Sequence, residues 1–225
     1  MKPKVCILTY GKLSDILRDE ISCFPDSVNI QIYEILMDPT VALPDAVADA
    51  DVYVSSGYNA YVLQEKVNKP IVVMKTSISD ILLCIQEASR YDAQPLVLSF
   101  GEPDPILYKL KEQLVCRPIL ESFRTPNDLP EIIRRHRERG GHCVVGTALA
   151  CMYSEQQNLH SIYMHPRESV KTFLQLAVDT AVSLHREASK NRQLSAIIEH
   201  SNSGLILTSP DGHITVCNPT ATTFL

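Results

Sequence analysis

Short apolar, β-branched runs alternate along the chain with longer stretches in which apolar residues recur every three or four positions. Seven of the short runs are typical of strands, and they cover residues 5–10, 28–35, 51–55, 71–75, 96–100, 143–146 and 161–165. The stretches between them are long enough for crossover helices, and the runs are apolar on both faces. This pattern predicts an α/β fold with parallel sheets covered by helices on each side.

The predicted strands fall into two groups, one before residue 76 and one after residue 95, joined by a helical stretch over 77–88. Ser77 with Asp80 three positions later is typical of a helix start. We therefore expect two doubly wound, Rossmann-like lobes with a cleft between them, where such folds bind small ligands. Lobe one is predicted over 1–76 plus 166–190, and lobe two over 77–165. One continuous sheet is the alternative.

One long helix is predicted from Pro166 onward, with Glu168 in its first turn. Its apolar positions are spaced by four and three: Val170, Leu174, Ala177, Ala181, Leu184 and Ala188. A seven-residue repeat favours supercoiling with a second helix and hence a homodimer. Packing against a lobe uses nearly the same face, so both interpretations stay open. The polar segment 190–193 predicts an exposed joint between this helix and the C-terminal stretch.

The last stretch, 197–218, predicts two strands joined at a turn, Pro210-Asp211-Gly212. A two-stranded hairpin is marginally stable in water. We therefore expect residues 191–225 to be a linker and the beginning of a domain that continues in a larger protein. The preceding part then passes information to a downstream domain, which suggests a sensor.

Composition narrows the class of protein. The 225 residues are 45% hydrophobic and carry a formal charge of −5, which leaves no basic footprint for nucleic acid or an anionic membrane. Neither a spanning segment nor a signal peptide is evident, so we expect a cytoplasmic protein. The seven cysteines form no C-x-x-C pair, which favours reduced core thiols over disulfides or a metal site.

Two predicted strand-to-helix turns are candidates for holding a carboxylate or phosphate group. The first comes after the strand at 51–55, and its candidate ligand-binding residues are Ser55, Ser56, Gly57, Asn59 and Ala60. The second, in the other lobe, contributes Gly146, Thr147 and Ala148. A helix N-terminus attracts anions, and two such turns could close on one ligand. The alternative is that these residues only cap helices and form turns.

Five further candidates lie where the chain is predicted to pass between the lobes: Thr76, Ser77, Asp80, His165 and Ser169. The last two flank the start of the long helix, so a ligand that touches them would act directly on that helix. Helix capping is again the alternative, and for Asp80 we prefer it. No nucleophile elbow, zinc-protease motif or Cys/His pairing with recognisable context is present, so we expect neither an enzyme nor a cofactor.

In order, these turns resemble the amino-terminal sensor domain of the propionate catabolism regulators, which activate sigma-54 RNA polymerase. The matching segments lie at 51–60, 69–73, 77–82, 144–150 and 168–170, and the resemblance spans about 3–190. The tail from Leu194 resembles the start of a PAS domain, through Gly204-Leu205-Ile206, Asp211-Gly212, Ile214 and Asn218-Pro219-Thr220-Ala221.

The resemblance implies two lobes that bind a small organic acid or phosphate-bearing metabolite. It also implies that ATP, DNA and sigma-54 RNA polymerase are engaged only by downstream domains outside this chain. The sequence departs from the family pattern at Ser56, where many members carry Arg, and at Gln157-Asn158, where Gly often ends the helix. Loss of an arginine leaves the nature of the bound anion open. A dimerisation module without a ligand is the alternative function.

Overall fold

The computed structural model describes residues 2–223, and its first four strands form one parallel sheet. These strands are β1 (Lys4–Thr9), β2 (Asn29–Glu34), β3 (Val52–Ser56) and β4 (Ile71–Met74), in the order β2-β1-β3-β4. The helices around them are α1 (Lys12–Ile21), α2 (Asp45–Ala48) and α3 (Gly57–Lys66). Strands β1 and β3 are almost wholly buried, because both faces of the sheet are covered.

A second parallel sheet repeats this arrangement. Its strands are β5 (Leu96–Phe100), β6 (Ile119–Phe123), β7 (Cys143–Gly146) and β8 (His160–Tyr163), in the order β6-β5-β7-β8. Its helices are α4 (Ile78–Ala88), α5 (Pro105–Leu110), α6 (Leu129–Glu138) and α7 (Ala148–Gln156), with short 3₁₀ turns at Lys111–Gln113 and Pro126–Asp128. The predicted α/β fold with two Rossmann-like lobes is confirmed, and there are two sheets instead of one.

Helix α4 belongs with the second sheet, since Ile81 and Ile85 pack in one cluster with Val97 and Val145. The chain therefore passes from the first lobe to the second between β4 and α4, and it leaves the second lobe after β8. The predicted helix start is also present, because the Ser77 hydroxyl accepts a hydrogen bond of 3.0 Å from the Asp80 backbone N–H.

Strand β6 was absent from the sequence-based prediction. It lies at the edge of its sheet, where its central Glu121 forms an ion pair with Arg135 of α6. The strand is hard to recognise in the sequence because Glu121 interrupts its apolar run and Pro118 directly precedes it. Edge strands accept such residues because one side of the strand stays open to solvent.

The end of α7 shows how the chain replaces a glycine. Asn158 comes just after this helix in the left-handed conformation, with φ of 58°. Asn is the non-glycine residue that adopts this conformation most readily, so it can end the helix where the family pattern often has Gly.

The long helix α8 (Arg167–Glu199) has 33 residues and is continuous through the polar segment 190–193, whose side chains are exposed. Four of the six predicted heptad positions are buried: Val170, Leu174, Ala177 and Ala181. Leu184 is half-buried and Ala188 is exposed. The first four heptad positions are thus buried within the chain itself. The last two are not buried, and the homodimer stays a prediction.

The chain divides into two compact units, residues 1–181 and 182–225. The second contains a hairpin of β9 (Ile206–Thr208) and β10 (Ile214–Cys217), then α9 (Pro219–Thr222). The buried Asn218 side chain accepts hydrogen bonds from Leu205 N–H and Ala221 N–H and donates to the Ile198 and Ser203 carbonyls. This residue fixes the local arrangement, while the assignment to a PAS domain stays a prediction.

Candidate functional site

The turn after β3 has a buried framework. The Ser55 hydroxyl is buried and donates to the Leu8 carbonyl at 2.8 Å. The Asn59 amide accepts from Met37 N–H at 2.9 Å and donates to the Ile35 carbonyl at 2.6 Å. Both side chains form hydrogen bonds to backbone groups, and these bonds hold the turn in place. The same side-chain groups are therefore poorly suited to contact a ligand.

Gly57 is the point where the two lobes come close. Its φ is +52°, a conformation that L side chains rarely adopt. A Cβ atom at this position would lie 3.7 Å from the Phe100 Cβ and 3.9 Å from the Thr147 Cγ2, both in the second lobe. The glycine thus serves both the backbone turn and the approach of the lobes.

A cleft of about 530 Å³ lies between the lobes, next to Gly57. Its volume is in the range of small-molecule sites. Five of the predicted candidates line it: Gly57, Ala60, Thr76, Thr147 and His165. They come from the ends of β3, β4, β7 and β8, because the carboxyl ends of parallel strands open onto the same side.

The cleft also has walls that the sequence did not single out as ligand-binding. Tyr61 and Phe100 line it, and their rings pack at an angle of 50° with centroids 5.9 Å apart. Its charged lining residues are Lys75, Glu102 and Asp104, so the lining carries both signs. The positions of Lys75 just after β4 and Glu102 just after β5 were the signal that could have identified them.

A second, much smaller cavity lies on the other side of Gly57 and Thr147, and we call it the chamber. It has about 40 Å³ and is lined by the end of β1, by residues from the first turns of α1, α3 and α7, and by Leu36 and Phe123. Three further candidates, Ser56, Asn59 and Ala148, line it with Gly57 and Thr147. Thr9, which was not among the candidates, also lines it.

The two segments that pass between the lobes are joined by a hydrogen bond of 3.2 Å between Thr76 Oγ1 and His165 Nε2. His165 Nε2 also lies 3.4 Å from the Met74 carbonyl, and the ring stacks on Tyr163. Burial lowers the pKa of His165, and the Met74 carbonyl and Asp80 only partly oppose this. The imidazole is therefore neutral at pH 7, and its Nε2–H can donate to Met74.

Five candidates line neither cavity: Ser55, Ser77, Asp80, Gly146 and Ser169. Ser77 caps α4, and the Asp80 carboxylate accepts a hydrogen bond of 2.8 Å from the Ser169 hydroxyl. Ser169 belongs to the first turn of α8. The contact therefore ties the long helix to α4 of the second lobe.

The start of α8 also reaches the first lobe. The Arg167 guanidinium lies 2.5 Å from the Asp19 carboxylate and 3.2 Å from the Glu20 carboxylate, both at the end of α1. Together with the Ser169–Asp80 hydrogen bond, this places the beginning of the long helix in contact with both lobes.

Gly146 has a packing role. It is buried at the end of β7, and a Cβ atom there would lie 2.6 Å from the Ala150 Cβ and 3.4 Å from the Leu98 carbonyl oxygen. The glycine lets α7 begin close to the sheet, and its own backbone lines neither cavity.

The described part of the chain holds no cluster of metal-ligating side chains, and the core thiols are buried. Within residues 2–223, no three His, Cys, Asp or Glu side chains are grouped to hold a metal ion. Burial raises the pKa of the Cys6 and Cys143 thiols to about 12, which keeps them protonated and unreactive. Over the same residues, no helix has the length and apolar character needed to cross a lipid bilayer.

Comparison with known proteins assigns the chain to a family. The family model described as propionate catabolism activator matches residues 25–198, which is most of the chain. The chain belongs to the propionate catabolism activator family. The resemblance expected from the sequence is thereby confirmed, and the two-lobed unit is a regulatory sensor domain of this family.

One solved structure supports the fold, and a second shows only a weaker likeness. The NtrC family transcriptional regulator from Clostridium acetobutylicum is 13% identical, with a TM-score of 0.64 over 81% of this chain and 98% of that one. The complex of the TorS sensor domain with TorT is 11% identical, with a TM-score of 0.40 over 83% of this chain and 87% of that one. The first of these shows the same fold as our two-lobed unit.

Proposed function

We propose that this chain is the signal-sensing part of a sigma-54-dependent transcriptional activator. A small anionic metabolite binds between the two lobes, and the bound state is passed through α8 to downstream ATPase and DNA-binding domains. The chain itself performs no catalysis and needs no cofactor. Membership of the propionate catabolism activator family supports the regulatory part of this proposal.

The observation that carries the proposal is the joint contact of α8 with both lobes. Arg167 pairs with the end of α1, and Ser169 bonds to Asp80 of α4. A ligand that prefers one closure angle changes the distance between α1 and α4, and one of these contacts then has to adjust. Differential affinity for two closure states is what makes such a site a switch.

The cleft suits a ligand of small-metabolite size. It offers about 530 Å³, aromatic walls from Tyr61 and Phe100, and a cationic side chain at Lys75. The carboxylates of Glu102 and Asp104 also line the cleft, so its Lys, Asp and Glu side chains sum to a charge of −1. We infer that the anionic group is held mainly by backbone and hydroxyl donors, with Lys75 near the outer end of the ligand.

A binding screen with a structural readout tests this function. Purified chain is titrated with organic acids, phosphorylated metabolites, sugars and amines, and unfolding temperature is recorded, since a ligand of the native state raises it. For each compound that binds, hydrogen exchange in residues 167–174 is compared with and without it. We expect binding to alter exchange there and Tyr61→Ala to weaken binding. If no compound in any class binds, the sensor proposal is wrong.

An exposed apolar series on α8 supports the alternative of a dimerisation module. Leu194 is 58% exposed and Ile197 is 67% exposed on a helix that buries one face in its first half only. Paired helices would remove such side chains from water. Light scattering on chains that end at residue 188 and at residue 225 tests this. A dimer that is present only in the longer chain favours the module, and a monomer in both excludes it.

A further inference from the structure

Three consecutive residues that follow β1, Tyr10, Gly11 and Lys12, contact the second lobe. Tyr10 packs against the core cluster of that lobe which contains Leu98. A Cβ atom at Gly11 would lie 3.9 Å from the Ala148 carbonyl oxygen at the start of α7. The lobes are therefore connected here by noncovalent contacts, in addition to the two places where the chain passes between them.

Lys12 adds a polar group of three side chains to this connection. Its Nζ lies 2.5 Å from Glu155 Oε1 at the end of α7 and donates a hydrogen bond of 2.7 Å to Ser161 Oγ of β8. The Ser161 hydroxyl donates to the same Glu155 oxygen at 2.6 Å. Lys12 and Ser161 lower the pKa of the Glu155 carboxyl from its ordinary value of 4.5, so it is charged at neutral pH. One cation of the first lobe is thus held by two side chains of the second.

The exposure of these side chains allows the polar contact to open and close. Lys12 and Glu155 are 42% and 50% exposed, and an exposed ion pair contributes little to stability. Water can hydrate both charges when they separate, whereas a buried ion pair leaves an uncompensated charge when it is broken. Tyr10 is half-buried and contributes apolar contact. The connection therefore combines an apolar anchor with a polar part that water can replace.

The position of the polar group makes it sensitive to the angle between the lobes. Ser161 lies four residues before His165, so the two residues are up to about 13 Å apart along the chain. At that distance from the crossing between the lobes, a rotation of about 10° moves the partners by up to about 2 Å, which is enough to break a hydrogen bond. The polar group therefore forms at some closure angles and not at others.

We propose that residues 10–12 form an interlobe catch that holds the lobes at the closure of this structure, with Lys12, Glu155 and Ser161 as its releasable part. The inference rests on the lobe movement in the proposed function, and it names the contact that opposes opening. The three side chains line neither the cleft nor the chamber. The interlobe catch thus changes ligand affinity only through the fraction of molecules in the competent closure state.

Spin labels on the two lobes measure the closure in the 225-residue chain without any ligand. The labels are attached at Glu65→Cys in α3 and Lys109→Cys in α5, two exposed positions in different lobes. The exposed Cys23 and Cys217 are replaced by Ser, and the other cysteines are buried. Pulsed electron paramagnetic resonance then gives the distribution of distances between the labels, in which open and closed molecules are separate populations.

The variants remove one charge at a time. Lys12→Met removes the cation and keeps an unbranched side chain, and Glu155→Gln removes the anion and keeps the shape. The double variant Lys12→Glu/Glu155→Lys exchanges the two charges. Arg18→Met is the matched control on the same helix, because Arg18 pairs with Asp15 and Glu34, which both belong to the first lobe.

We expect Lys12→Met and Glu155→Gln each to raise the ratio of open to closed molecules about twofold to fivefold, which is the effect that an exposed ion pair supports. The double variant should restore much of the closed population, and Arg18→Met should match the wild type. Sodium chloride at about 1 M should open the wild type and have little further effect on Lys12→Met, since salt screens exposed charges.

Unchanged distances in both Lys12→Met and Glu155→Gln would overturn the interlobe catch, and so would an equal change in Arg18→Met. Either result leaves the sensor function intact, because the measurement contains no ligand. If instead no compound binds in the screen described above, the sensor function is wrong, and the distances between the labels still decide whether the catch exists.

Discussion

Thr76 Oγ1 and His165 Nε2 lie 3.2 Å apart and join the two segments through which the chain passes between its lobes. Thr76 precedes α4, and His165 is separated from α8 only by Pro166. Any rotation of one lobe against the other has to bend the backbone at these two places. The hydrogen bond therefore lies at the crossing between the lobes, next to both the cleft and the start of α8.

Thr76→Val should lower the free energy of unfolding by about 1 kcal/mol, because it removes this bond and leaves the Met74 carbonyl as the partner of His165 Nε2. Urea unfolding of the purified chain measures the change. Thr172→Val is a suitable control, since the exposed Thr172 hydroxyl bonds only to the Glu168 carbonyl of its own helix. If both variants lose the same free energy of unfolding, the Thr76–His165 hydrogen bond contributes no more to stability than a hydrogen bond within a helix.

Stability should decline as pH falls below about 6.5. Burial lowers the pKa of His165 in the folded chain from its ordinary value of 6.5, so the unfolded chain takes up the proton first. The stabilisation is complete above the unfolded pKa and is lost as pH falls through the folded pKa.

Urea midpoints at pH 5.5 and 7.5 test this, and His165→Gln should show a smaller difference between the two. If the urea midpoint of His165→Gln changes as much between the two pH values as that of the wild type, the pH dependence comes from other groups. Carboxyls with lowered pKa, such as Asp92, titrate below their ordinary value of 3.8 and fall outside this range.

Asp92→Asn should destabilise the second lobe by about 1 to 3 kcal/mol. Burial alone would raise the pKa of Asp92, but backbone N–H donors at His142, Gln94 and Cys143 outweigh it and lower the pKa. An amide accepts these bonds less strongly than a carboxylate does.

Thermal unfolding at pH 7 measures the loss from Asp92→Asn, with the exposed Asp26→Asn as a control that should change little. The difference between wild type and Asp92→Asn should shrink as pH falls through the lowered pKa, since protonation removes the same charge. A difference that is constant down to pH 3 would contradict the role of the charge.

Gly146→Ala should destabilise the fold by about 1 to 3 kcal/mol through overpacking, because its Cβ would lie 2.6 Å from the Ala150 Cβ. The double variant Gly146→Ala/Ala150→Gly removes the opposing methyl group and should relieve the clash. The new glycine in the helix costs about 1 kcal/mol. After that cost is subtracted, the double variant should be less destabilised than Gly146→Ala alone. Additive losses in chemical denaturation would show that these two atoms do not conflict.

The candidate residues illustrate how far sequence patterns reach. Ser77 as a helix cap could be predicted from its spacing to Asp80, because capping is a local interaction within one turn. Ser55 looked like a ligand contact, yet its hydroxyl bonds to Leu8, 47 residues away in the sequence. A pattern along the chain cannot tell which way a hydroxyl at a strand end is turned, because its partner comes from another strand.

By itself, the sequence determined the alternation of strands and helices, the long helix from Pro166 and the resemblance to the family, since these depend on periodicity and on local turn chemistry. It left open whether the strands form one sheet or two, and the structure shows two. Only the tertiary structure decided that the candidate turns divide between a cleft of about 530 Å³ and a cavity of about 40 Å³, and that Thr9 lines the latter. It also decided that Gly146 is a packing residue. The physical reason is that burial and hydrogen-bond partners come from contacts between segments far apart in the chain, which periodicity does not record.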